Sequence, residues 1–231
     1  MLNLEKKFEQ FFRDRFNYLL ILIIMLLLAS PLLRLHQGGG IASVFFVLIF
    51  AALNIFILRI MIERPARFWA ASVFFFSVCA FDLIAKNLGP GWSDGAVIFA
   101  DVVYIVFLAI FLSHLFRALF NEKKVTHDSI KGGICIYLLL GIMWGVMYRI
   151  LYFFDPGAFI FQDSTAINLF YFSYVTLTTV GYGDIVPTSR VAETLAFMEA
   201  VMGQVFLAVF IARLMGLHIA HVIGKKGEDR E

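Results

Sequence analysis

Thr178-Thr179-Val180-Gly181-Tyr182-Gly183-Asp184 lies between two long apolar stretches. A backbone holding two glycines one residue apart can turn successive carbonyl oxygens the same way. A row of such oxygens replaces the water around a dehydrated cation, provided the loop is held at depth inside a membrane. What flanks the heptapeptide therefore decides its meaning.

The chain has 231 residues, 61% of them hydrophobic and 16% charged, with a mean hydropathy of +0.86. That balance is far more apolar than a soluble domain carries. Five segments ahead of the heptapeptide, at 16–33, 41–62, 68–84, 96–116 and 134–154, each offer enough apolar residues to cross roughly 30 Å of hydrocarbon as helix. A sixth follows at 191–215. The first is preceded by a charged stretch without a small-residue cleavage site, so it is retained and not a signal peptide.

Six spans put both termini on one side of the membrane. The basic residues locate that side independently of hydropathy. Fifteen of the 19 fall in the amino-terminal stretch, between spans two and three, between spans four and five, or at the carboxyl end; only Arg34, Lys86, Arg149 and Arg190 fall opposite. Both termini are thus expected in the cytoplasm and the heptapeptide on the outer side. The net charge of +2 follows from this topology and is no sign of nucleic-acid binding. Cys79 and Cys135 fall inside spans, where a free thiol packs as a small apolar group.

After Asp155-Pro156-Gly157 ends the fifth span, Ser164 or Thr165 is expected to cap a short helix running through Asn168 to Leu177. Roughly a dozen helical residues end near mid-membrane, with the partly negative carboxyl end aimed at the centre, where it favours a cation. The chain then returns outward through residues 179–183. Irregular backbone at that depth survives only when buried in protein or lining a water-filled path.

Thr179-Val180-Gly181-Tyr182-Gly183 matches the signature sequence of potassium channels, and the helix–loop–helix pattern around it resembles their pore domain. The resemblance implies an all-α membrane protein of six transmembrane helices, with a re-entrant pore helix and selectivity filter between spans five and six. It implies that the carbonyls of Thr179, Val180, Gly181 and Tyr182, with the Thr179 hydroxyl, hold K+ ions. Gly181 and Gly183 would permit the twist, Tyr182 would point away from the pore to brace the filter, Asp184 would stand just behind it at the outer mouth, and Thr178 would be a further supporting residue. One filter strand cannot surround an ion, so a homotetramer in the lipid bilayer is expected. No organic cofactor, small-molecule ligand, nucleic acid or enzymatic activity is expected. The implied location is the plasma membrane, as the inner membrane of a bacterium.

Two departures from the family pattern stand out. Where many potassium channels carry a pair of tryptophans in the pore helix, this chain has Tyr171 and Phe172. Phe172 cannot donate a hydrogen bond, so its support is expected from aromatic packing. Val175 replaces a glutamate that in some members pairs with the outer aspartate, which leaves the Tyr171 hydroxyl as the expected partner of Asp184.

In the sixth span, Gly203 reads either as a hinge, since glycine weakens a helix by about 1 kcal/mol relative to alanine, or as a site of close helix packing. Stepping from Gln204 by three or four gives Leu207, Ala208, Ile211 and Met215 as a cavity and gate face. The stretch from Gly203 to Gly216 is also similar to small prokaryotic channels lacking sensor domains. Glu199 is costly within a span. It reads as a structural acid bonded to hydroxyls of Ser173, Thr176 or Thr178, or as a group whose protonation tunes the filter or gate.

The fourth span, 96–116, holds no Lys or Arg, whereas a voltage sensor needs them at every third position. Asp82 and Asp101 are expected near the outer face, paired with Arg34 or Lys86. The expected organisation is an interfacial amphipathic helix at 1–15, a four-span block without gating charges at 16–117, a cytoplasmic linker at 118–131, a pore domain at 132–221 and a short tail at 222–231. The rival classes are a non-conducting accessory subunit and a voltage-gated channel with an atypical sensor.

Overall fold

The computed structural model describes residues 15–35, 90–121, 125–162 and 168–228. In chain order they form α1 (Arg15–Leu35), α2 (Pro90–Asn121), α3 (His127–Phe154), a single turn of tighter helix (Pro156–Ala158), β1 (Phe159–Phe161), the short α4 (Leu169–Leu177), β2 (Ile185–Pro187) and α5 (Arg190–Glu228). Among the described residues, Gly95–Asn121, His127–Phe154 and Arg190–Ala220 are long and apolar enough to cross a membrane. These contain the expected spans at 96–116, 134–154 and 191–215, and α1 contains the one at 16–33. The spans at 41–62 and 68–84, the interfacial helix up to residue 14, and Cys79, Asp82 and Lys86 lie outside the described residues.

The chain divides into two compact units. In the first, the start of α1 packs on the start of α3. The Phe16 amide donates to Asp128 Oδ1 at 3.3 Å, and the Phe16 ring lies so close to Gly132 that an added Cβ would come within 3.2 Å of it. Cys135 is free and buried, its sulfur 3.9 Å from the Phe16 carbonyl oxygen.

The second unit holds α2 from Asp101 onward, α3 from Ile136 onward, and everything that follows. Its helices bury one stripe each, as helical periodicity dictates. On α2 the stripe is Tyr104, Leu108, Phe111, Leu115 and Leu119. On α5 it is Ala192, Glu199, Gly203, Phe206 and Phe210. Phe206 stacks on Tyr137 of α3 at 6.0 Å and meets Phe116 of α2 edge-on at 5.7 Å.

The linker at 118–131 is mostly helix, since α2 continues to Asn121 and α3 begins at His127, with Asp128 in its first turn where a carboxylate meets the partly positive helix start. The tail expected from residue 222 is likewise helical as far as Glu228.

The two three-residue strands were not foreseen. They pair antiparallel, with Phe159 opposite Pro187, Ile160 opposite Val186 and Phe161 opposite Ile185. Asp155 starts the turn before them by accepting from the Gly157 amide at 3.1 Å. The sheet fastens the chain before α4 to the chain after the glycine-rich loop.

Candidate functional site

Asn168 caps α4: its Oδ1 accepts from the Tyr171 amide at 3.0 Å. The helix therefore starts at Leu169 and has 9 residues, fewer than the dozen expected. Ser164 and Thr165, the caps expected from sequence, lie outside the described residues.

Glycines on both neighbouring helices let α4 approach. A Cβ at Gly141 of α3 would come 2.5 Å from the Tyr174 ring, and one at Gly145 would come 2.5 Å from the Phe170 ring. On the other side, a Cβ at Gly203 of α5 would stand 2.5 Å from the Leu177 carbonyl oxygen. Alpha5 runs through Gly203 as unbroken helix, so in this structure the glycine serves close packing. Hydrogen bonds complete the seat. Tyr174 donates to the Leu138 carbonyl at 2.7 Å, and Tyr137 donates to the Leu177 carbonyl at 3.1 Å.

Beyond α4 the backbone alternates. Thr179 has φ +59°, Gly181 +58° and Gly183 +78°, and neither residue between them has a positive φ. Glycine adopts such angles freely, but for a β-branched threonine they cost of order 1–3 kcal/mol and persist only where the surroundings enforce them. The enforcement comes from the carboxyl end of α4. The Thr179 amide donates to the Thr176 carbonyl at 2.9 Å, and those of Val180 and Gly181 to the Val175 carbonyl at 3.0 and 3.3 Å. With these donors turned back into α4, the carbonyls of Thr179, Val180, Gly181 and Tyr182 accept no hydrogen bond from any described residue. The loop is a row of oxygen ligands without formal charge, set at the partly negative end of a helix, and its chemistry suits a weakly held cation.

The far end of the row is anchored. The Gln162 amide donates to the Asp184 carbonyl at 3.0 Å, and its side-chain Nε2 donates to the Gly183 carbonyl at 3.3 Å. The Tyr171 hydroxyl donates to the Asp184 carboxylate, a contact that raises the phenol above its ordinary value. Tyr171→Phe is expected to free Asp184 and to speed the decay of any current through the loop, as recorded in planar bilayers with the wild type beside it.

Phe172 is held by rings. It meets Tyr148 edge-on at 5.0 Å and Phe159 at 5.4 Å, in a cluster with Trp144, Leu169 and Ile185. Tyr182 and Val180 are 71% and 52% exposed on the single chain. Among the gate residues, Gln204, Ala208, Ile211 and Met215 are exposed and Leu207 is half-buried. Gln204 Nε2 lies 3.5 Å from the Thr179 hydroxyl, a long contact at the inner end of the row.

Glu199 is fully buried. Its Oε2 accepts from the Tyr148 hydroxyl at 2.6 Å, and its Oε1 lies 2.6 Å from the Ser173 hydroxyl. Of the three hydroxyls expected from sequence, Ser173 meets it, while Thr178 donates to the Tyr174 carbonyl instead. Asp101 pairs with Arg149 of α3, in a two-pronged contact that includes Nε to Oδ2 at 2.7 Å; its expected partners, the Arg34 side chain and Lys86, lie outside what the structure describes. An arginine inside a span must find its counter-ion within the protein, and α2 supplies it.

Sequence reasoning passed over Gly141, Gly145, Tyr148 and Gln162, and used Arg149 only to orient the spans. The two glycines were detectable, because small residues four apart in a span mark close helix packing. Nothing in the sequence pointed to Gln162, whose part depends on the unforeseen sheet.

The sequence model described as "ion channel" matches residues 134–217, the stretch that holds α4, the loop and most of α3 and α5. Over 100 residues the chain is 31% identical to Two pore potassium channel a of Oryza sativa subsp. japonica, which covers 42% of this chain and 26% of that protein. Over 62 residues it is 40% identical to Two-pore potassium channel 4 of Arabidopsis thaliana, covering 27% and 20%. Over 169 residues it is 27% identical to Potassium channel, subfamily K, member 16 of Mus musculus, covering 64% and 56%. The chain thus spans between about a fifth and about half of the length of these relatives. No solved structure matches it.

Proposed function

We propose that the chain, which matches an ion-channel domain at 134–217 and is similar to potassium channels, is itself a potassium channel and a multi-pass membrane protein rather than an enzyme, and that it conducts K+ passively through a filter lined by Thr179, Val180, Gly181, Tyr182 and Gly183. The observation that carries this reading is the alternation of positive φ at residues 179, 181 and 183, with the amides of 179, 180 and 181 tied back into α4. Carbonyl oxygens freed in this way replace the hydration shell of a cation without binding it too tightly to leave.

One chain supplies one strand, so four copies close the ring as a homotetramer. Tyr182, so exposed here, is the aromatic that a neighbouring copy covers. Alpha4 and the loop form the re-entrant pore segment of a six-span subunit with both termini in the cytoplasm, in the plasma membrane of a bacterium. Gating does not use a conventional voltage sensor, since α2 carries no arginine or lysine between residues 96 and 116. Ile211 and Met215 ring the inner mouth, where a hydrophobic constriction closes by dewetting.

Purified protein in liposomes is expected to release K+ down its gradient, with block by barium. Gly181→Ala is expected to abolish that flux, because alanine in the left-handed region costs about 1–2 kcal/mol and shifts the carbonyl row. Unchanged flux in Gly181→Ala would contradict the assignment of the loop.

A further inference from the structure

Three short oxygen–oxygen contacts meet behind the loop. The Ser173 hydroxyl oxygen lies 2.8 Å from the Gly141 carbonyl and 2.6 Å from Glu199 Oε1, and the Tyr148 hydroxyl lies 2.6 Å from Glu199 Oε2. Each contact at such a distance needs one hydrogen between its oxygens. A serine and a tyrosine hydroxyl bring one hydrogen each, and a carbonyl or an ionised carboxylate brings none. Two hydrogens cannot make three bonds.

We propose that Glu199 is a neutral carboxylic acid that donates from Oε1 to Ser173, and that this one proton locks the helix before the filter to the inner helix. With one hydrogen in each contact, a single assignment fits. The Gly141 carbonyl can only accept, so Ser173 must donate to it. The Ser173 oxygen then accepts from Glu199, and Tyr148 donates to Oε2. The chain of bonds runs from α3 through α4 to α5 and back to α3, with every hydroxyl hydrogen used. Burial agrees: Glu199 and Ser173 are both wholly inaccessible, and among the described residues no basic group forms an ion pair with this acid. A buried, unpaired carboxylate is the costlier state. The ionisable groups facing Glu199 are Tyr148 and Tyr137 from α3 and Tyr174 from α4, all of them uncharged donors at neutral pH.

Glu199 is therefore a positioning residue. It acts on the filter through Ser173, four residues before the helix ends at Leu177. Removing its proton leaves the two facing oxygens of Ser173 and Glu199 without a hydrogen and places a full negative charge behind the loop. The consequence for conduction rests on the channel reading; the proton itself does not.

Infrared difference spectra of the purified wild type against Glu199→Gln, at neutral pH, test the proton directly. The expected result is the carbonyl stretch of a protonated carboxyl group in the wild type, shifted in heavy water and lost in the variant. A pair of carboxylate stretches in its place would overturn the proposal, whether or not the protein conducts. The wild type alone supplies a second measurement should the variant fail to fold. As pH is raised, the carbonyl band and the K+ flux from liposomes are expected to be lost together; flux that persists after the band has gone would refute the positioning role. In Glu199→Gln, which keeps one donor and one acceptor, the alkaline loss of flux is expected to disappear, and an unchanged alkaline loss would likewise refute it.

Discussion

Arg149→Met is expected to destabilise the folded subunit by about 3 kcal/mol, the lower end of the range for stranding one member of a buried ion pair. The side chains of the pair are unequally covered, Arg149 at 48% exposed and Asp101 at 5%. Loss of the arginine therefore takes the cation from a buried carboxylate, whereas loss of the aspartate leaves a half-exposed arginine with its other contacts in place. Asp101→Asn is accordingly expected to cost less than Arg149→Met. The double variant is expected to recover most of the difference, because it holds no unpaired charge. Unfolding monitored by denaturant titration in detergent gives the three values. Equal losses in both single variants with no recovery in the double would show that the pair does not act as a unit.

Gly203→Ala is expected to unseat α4, the helix before the proposed filter. The new methyl would sit 2.5 Å from the Leu177 carbonyl oxygen and 3.0 Å from Leu177 Cδ1. A backbone oxygen at the end of α4 cannot step aside without moving Thr178 and Thr179, so the strain is passed to the inner end of the proposed filter. Overpacking of this kind costs about 1–3 kcal/mol. Potassium selectivity is expected to suffer as well as stability. A hinge role predicts a different pattern: alanine would stiffen α5 and alter opening while leaving selectivity intact. Selectivity and open probability, measured on one preparation in planar bilayers, separate the two.

Much of the channel domain was legible in the chain itself, because the signals were local. Residues 178–184 carry their own backbone demands, and apolar runs of about 20 residues need no partner to be recognised. The Tyr171 hydroxyl, the partner expected for Asp184 because Val175 stands where a glutamate could have been, does meet it. What stayed hidden depends on contacts between distant segments. Arg149 and Asp101 are 48 residues apart, and Tyr148 and Glu199 are 51 apart. The sheet that brings Gln162 to Gly183 rests on two strands of three residues, too short for a pattern of alternation to declare itself. The cap of α4 was misplaced for another reason. Ser164, Thr165 and Asn168 are all good caps by chemistry, and only packing against α3 and α5 selects where the helix begins.

The most direct test is the reversal potential of purified wild-type protein in a planar bilayer with K+ on one side and Na+ on the other. A carbonyl row built from residues 179–183 predicts a potential set by K+ alone, with no measurable current carried by Na+. A potential near zero with equal salts, or no current under any gradient, would contradict it.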